Sequence, residues 1–184
     1  MIDRGRLHSA RWVPSPNFGP RPNDTDISLL VIHNISLPPG QFGKGCIEQF
    51  FCNELDSAQD PYFETIADLK VSSHLLIERD GAVVQFVRFT DRAWHAGQSV
   101  FFGRDNCNDY SIGIELEGTD HEPYTDEQYR QLAIITRDLI QSYPAITHDR
   151  ITGHEHIAPG RKTDPGPAFE WNRYLDSVKE KEVE

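Results

Sequence analysis

A chain of 184 residues is long enough to bury one substantial core and too short for two independent ones, so residues 1–184 read as a single domain. Its 38% hydrophobic and 26% charged residues exclude a disordered chain. With 29 acidic against 18 basic side chains, the net charge of −11 argues against nucleic acid as a partner, while a local basic pocket could still hold a small anionic ligand.

The first segment, "MIDRGRLHSARWVPSPNFGPRPNDTD", lacks an apolar stretch of signal-peptide length, and nothing later approaches a membrane span. A cytoplasmic protein is expected, without membrane insertion and with no obligate protein partner evident. Pro, Asn and Asp crowd residues 13–26, which makes 1–26 an extended arm over the surface. The apolar run "SLLVIH" (28–33) then stops at the turn-prone "NISLPPG", the pattern of a buried central strand with His33 at its carboxyl end. A helix is expected over residues 46–55. Cys46, Cys52 and Cys107 form no CxxC pair, which fits a reducing compartment and three small apolar fillers better than a disulfide scaffold or a Cys107 nucleophile.

Arg79-Asp80-Gly81 lies between "SHLLIE" (73–78) and "AVVQFV" (82–87) and predicts a hairpin, because glycine accepts a positive φ. "RAWHAG" (92–97) reads either as a packed turn or as a wall, with Trp94 and His95, against which a sugar ring could stack. "SIGIELEG" (111–118) alternates as a strand, with Ile112, Ile114 and Leu116 on one face and Ser111, Gly113, Glu115 and Glu117 on the other. The clearest helix lies within 124–144. Thr125 and Gln128 form its capping box, Tyr124 staples to Tyr129, and Pro144 marks its end. A third helix follows Phe169. Strands interleaved with helices predict an α/β fold, a mixed central β-sheet flanked by α-helices.

Titratable groups crowd "GHEHIAPGRKTDPGP" (153–167), an irregular stretch stiffened by three prolines. His154, His156 and Asp164 there offer three N/O ligands to Zn²⁺ and leave the fourth tetrahedral position to water; the competing reading is a polar surface loop. His33 is either a further ligand or a hydrogen-bonded packing residue. Glu115 and Glu117 share a face, so periodicity cannot say which would take a proton from the water, although Gly113 leaves room for a ligand beside Glu115. Lys162 could aim a cation at an oxyanion, or face solvent.

Taken together, "LLVIHNISLPPGQFG", "VSSHLLIERDG", "RAWHAG", "CNDYSIGIELEGTD" and "TGHEHIAPGRKTDPGP" resemble the zinc-dependent N-acetylmuramoyl-L-alanine amidases, the family that also holds T7-type lysozymes and peptidoglycan recognition proteins. The similarity runs from about Trp12 to Trp171 and is closest to the cytoplasmic amidases of peptidoglycan recycling. It implies one Zn²⁺ per chain on His33, His154 and Asp164, with Glu115 rather than Glu117 handling the water's proton and Lys162 supporting the oxyanion. The implied substrate is an anhydro-muropeptide, cut between the lactyl group of 1,6-anhydro-N-acetylmuramic acid and L-alanine. Asn34, Lys70 and Arg104 match substrate-contact positions of the family. Asn106 stands where the family carries an arginine, which puts one contact to a peptide carboxylate in doubt. A non-catalytic peptidoglycan-binding module and an exported wall amidase are the competing functions. His156 competes with Asp164 for the third ligand position if residues 152–156 are extended.

Overall fold

The computed structural model describes residues 1–180. Among these, six strands make the central sheet: β1 (Arg11–Trp12), β2 (Leu29–Ile35), β3 (Leu75–Ile77), β4 (Val83–Gln85), β5 (Ser111–Glu117) and β6 (Ile151–Gly153). The spatial order is β6-β2-β5-β3-β4-β1. Neighbours from β6 to β3 are parallel, β3 and β4 are antiparallel, and β1 lies parallel to β4, so the sheet is mixed as expected. β5 is buried along its whole length because strands flank both its edges and layers cover both its faces. The alternation of Ser, Gly and Glu there therefore does not mark a solvated face.

The helices are α1 (Cys46–Phe51), α2 (Pro61–Ile66), α3 (Asp126–Ser142), α4 (His154–Ile157) and α5 (Trp171–Lys179). Leu132, Ile135 and Leu139 of α3 and Tyr174 of α5 pack with Leu30, Ile32, Ile112, Ile114 and Leu116 on one face of the sheet. Phe50, Phe51, Phe63 and Ile66, from α1 and α2, pack with Leu76 and Val84 on the other. The capping box of α3 forms as expected: Gln128 N donates to Thr125 Oγ1 and Thr125 N to Gln128 Oε1, both at 3.1 Å. The Tyr124 and Tyr129 rings meet edge to face at 6.3 Å.

Two local expectations are corrected and one element is added. α1 stops at Phe51 rather than running to 55, and Asn53 beyond it takes a left-handed φ of 62°. α2 lies in a stretch to which the sequence reading gave no element; Asp60 Oδ1 accepts from Tyr62 N at 2.9 Å and Pro61 opens the helix. The N-terminal arm is not confined to the surface. Its Arg11–Trp12 segment completes the sheet edge, and Leu7, Ser15, Asn17 and Arg21 are buried. The Arg21 guanidinium donates to the carbonyls of Phe89, Asn108, Asp109 and Ser111, a fan of donors that ties the arm to two loops and to β5. No helix among the described residues is long and apolar enough to cross a membrane.

Candidate metal centre and active-site cleft

Three neighbouring parallel strands deliver the site at or near their carboxyl ends, where a sheet of this kind opens. His33 lies on β2, directly opposite Glu115 on β5. β6 pairs Gly153 with Ile32 and passes at once into α4, whose first residue is His154. Asp164 arrives on the loop after α4.

His33 Nδ1 lies 2.9 Å from His154 Nδ1, and Asp164 Oδ2 lies 3.1 Å from both. Three ligands about 2.0–2.1 Å from a tetrahedral zinc ion would stand about 3.3 Å apart, so the triangle has nearly the size a zinc ion requires. The donor chemistry fits as well. His154 Nε2 is 3.1 Å from the Ala96 carbonyl oxygen, which can only accept, so the ring hydrogen lies there and the Nδ1 lone pair faces the cluster. Burial, with the neighbouring His154 adding to it, lowers His33 to about 4, which keeps it neutral at pH 7.

His156 does not join them. The chain is extended only to Gly153 and turns helical at His154, so the two imidazoles diverge instead of sharing a strand face. The exposed His156 accepts from Gly153 N through Nδ1 at 3.3 Å and lies against Trp171. The Asp164 arm is braced from below. Asp120 accepts from Asn34 Nδ2 at 2.8 Å and from Thr163 Oγ1 at 2.5 Å, while Tyr124 OH donates to the Pro165 carbonyl at 2.7 Å. Gly166, at φ 79°, lies so close to Asp120 that a Cβ would stand 2.5 Å from its Cα. Asn34, expected at the substrate, thus commits its amide nitrogen to holding this loop.

The two glutamates differ in their partners. Glu117 Oε1 accepts from Gly43 N at 2.6 Å and Oε2 from Arg79 N at 3.3 Å, so it fastens two loops. Glu115 Oε2 is buried without a hydrogen-bond partner among the described residues. Burial pushes the Glu115 carboxyl well above its ordinary range, the Asp164 charge adds to this, and Lys162 opposes it. Such a carboxyl is a ready proton carrier.

A cleft of about 360 Å³ opens over His33, Glu115, His154, Asp164 and Lys162. Its outer wall is apolar, with Trp94, Phe50, Tyr62, Ile66 and Leu69. The α2 residues in that wall escaped the sequence reading, although Asp60-Pro61 is a helix-start signal. His95 is not a free wall for a sugar. It is buried in the cleft floor, with Nδ1 2.9 Å from His33 Nε2 and Nε2 3.0 Å from Ser111 Oγ. Its ring fills the space over Gly113 that had been expected to admit a ligand. Lys70 is exposed beside a separate crevice with Asn53 and Leu55. Arg104 does not line the cleft; it pairs with Asp26 at 2.6 Å and lies over the Tyr110 ring. Asn106 is exposed at φ 56°, a left-handed backbone that asparagine adopts more readily than most residues.

An α/β sheet that gathers two imidazoles at its strand ends and a loop carboxylate against them, beside a buried acid and an open cleft, has the donor set found in hydrolases that use a metal ion. Residues 23–167 match the family model described as N-acetylmuramoyl-L-alanine amidase, and the chain belongs to that family. It is 56% identical over 178 residues to the 1,6-anhydro-N-acetylmuramyl-L-alanine amidase AmpD of Haemophilus influenzae, covering 97% of each chain. A crystal structure of a selenomethionine AmpD derivative superposes with a TM-score of 0.94 at 57% identity, over 97% of this chain and 99% of that one. The Escherichia coli amidase AmiD, solved with its substrate anhydro-N-acetylmuramic acid-L-Ala-D-γ-Glu-L-Lys, is 30% identical with a TM-score of 0.61, over 83% of this chain and 57% of that one.

Proposed function

We propose that this chain is a zinc-dependent amidase of cytoplasmic peptidoglycan recycling. It cleaves the amide between the lactyl group of 1,6-anhydro-N-acetylmuramic acid and L-alanine in muropeptides. The observation that carries this reading is the His33–His154–Asp164 triangle with an unpartnered Glu115 carboxyl beside it, in a chain similar over nearly its full length to such amidases.

His33, His154 and Asp164 would hold one Zn²⁺ per chain. Bound there, zinc would supply Lewis acidity, polarising the amide carbonyl and acidifying a water. Glu115 accepts the proton of the attacking water, and its raised pKa lets it pass that proton to the departing amino group of L-alanine. The Lys162 ammonium meets the negative charge that gathers on the carbonyl oxygen. Water thus adds to the carbonyl carbon, the C–N bond breaks, and a lactyl carboxylate and a free amine leave. Trp94 offers the sugar a stacking wall over the His95 floor. Asn34 acts by bracing the Asp164 arm. Lys70 and Arg104 lie beyond the cleft lining, and Arg104 is paired with Asp26, so neither is given a part in the reaction.

Incubation with a purified anhydro-muropeptide, followed by mass spectrometry, tests the reading. Anhydro-N-acetylmuramic acid and a free stem peptide are expected. Intact substrate, bound tightly, would replace the enzyme by a peptidoglycan-binding module. Preferential attack on polymeric wall would replace the recycling role by that of an autolysin.

A further inference from the structure

His33 and His154 both face the metal triangle through Nδ1, but their far nitrogens meet different partners. His154 points its Nε2 at a carbonyl, which leaves no choice of tautomer. His33 has no carbonyl. Its Nε2 meets another imidazole, His95 Nδ1, at 2.9 Å, and that contact can run in either direction. With its hydrogen on Nδ1, a neutral His33 would turn an N–H toward the ligand position and could not coordinate there.

We propose that His95 is a positioning residue that holds His33 in the tautomer able to take the metal, and that position 113 is glycine to seat the His95 ring. The inference rests on the metal-site reading above. When His95 accepts at Nδ1, His33 carries its hydrogen on Nε2 and its Nδ1 lone pair is free. His95 then carries its own hydrogen on Nε2, where Ser111 Oγ stands 3.0 Å away as acceptor. The chain of bonds runs one way, from His33 to His95 to Ser111, away from the metal.

The surroundings fix His95 where this requires it. Asn108 Oδ1 accepts from the backbone N–H groups of His95 at 3.1 Å and Ala96 at 2.8 Å, pinning the segment. The His33 and His95 rings stand edge to face at 89°, with centroids 5.0 Å apart. Below, a Cβ on residue 113 would lie 2.5 Å from His95 Cγ and 2.6 Å from its Nδ1. Gly113 is an ordinary strand residue without a left-handed φ, so its backbone would accept alanine. What excludes a side chain there is the imidazole.

The experiment measures zinc affinity by competition with a chromophoric chelator for wild type, His95→Leu, His95→Gln and Gly113→Ala, and records imidazole ¹⁵N shifts of the zinc-loaded wild type. His95→Leu and Gly113→Ala should weaken zinc binding by about 10- to 100-fold. His95→Gln, whose Oε1 can accept from His33 Nε2–H, should recover most of the loss. The wild-type spectrum should place the hydrogens of His33 and His95 on Nε2. Zinc bound as tightly by His95→Leu and Gly113→Ala as by wild type would overturn the inference, as would a hydrogen on His95 Nδ1, which could not then accept from His33. The spectrum decides the matter even if a variant fails to fold. Wild type that binds no zinc would overturn the metal site itself.

Discussion

Glu115 and Glu117 are two residues apart on one strand face, yet only one is free to act. Glu117 is held by two backbone N–H groups, while a Glu115 oxygen has no partner among the described residues. Glu115→Gln should keep zinc and fold but lose about 10²- to 10⁴-fold in activity, because an amide cannot accept the water's proton. Glu117→Gln should lower thermal stability more than turnover; the reverse ranking in steady-state assays would reassign the base. Lys162→Met should reduce kcat more than it raises KM, since its charge meets one that grows in the transition state. An effect confined to KM would make Lys162 a binding residue. At this scale the sequence was half legible. A two-residue period puts both acids on one face but says nothing of the loops that reach Glu117 from positions 43 and 79. It likewise left "RAWHAG" open between a packed turn and a sugar-stacking wall, because nothing local shows that the His95 ring lies over Gly113 of β5.

Among the elements, the turn from β6 into α4 has the largest chemical consequence. It separates His154 from His156, so that Asp164, on a separately braced loop, is the third member of the proposed ligand set. His156→Ala should therefore retain zinc and substantial activity, whereas Asp164→Ala should lose both. Metal analysis of the two proteins checks this, and zinc kept by Asp164→Ala but lost by His156→Ala would contradict it. α3 was legible to its cap, because Thr125 and Gln128 are only three residues apart and need no tertiary partner to be recognised. Thr125→Ala should cost about 1 kcal/mol in urea denaturation. α2 was missed although Asp60-Pro61 announces it, since six residues hold too few turns for an apolar period to stand out. The arm was misjudged for a different reason. Arg21 reads as polar surface until four carbonyls from distant segments surround it.

For the whole molecule, β2, β3, β4 and β5 were readable from their apolar runs or alternation, but β1, β6 and the order of the strands were not. It is the order β6-β2-β5 that sets His154, His33 and Glu115 side by side, from positions 154, 33 and 115 of the chain. Local pattern carries no information about which strands become neighbours, so the ligand set came from family resemblance and not from spacing. The same arrangement places the triangle proposed for the metal, the unpartnered Glu115 carboxyl and the Lys162 cation in one cleft, in a molecule whose net charge of −11 is otherwise unsuited to anions. The account therefore depends on the metal. Elemental analysis of protein purified without chelator, with anhydro-muropeptide cleavage followed before and after a strong chelator, tests it most directly. About one zinc per chain is expected, with cleavage abolished by the chelator and restored by added zinc. Protein free of metal that cleaves undiminished in the chelator would contradict the account.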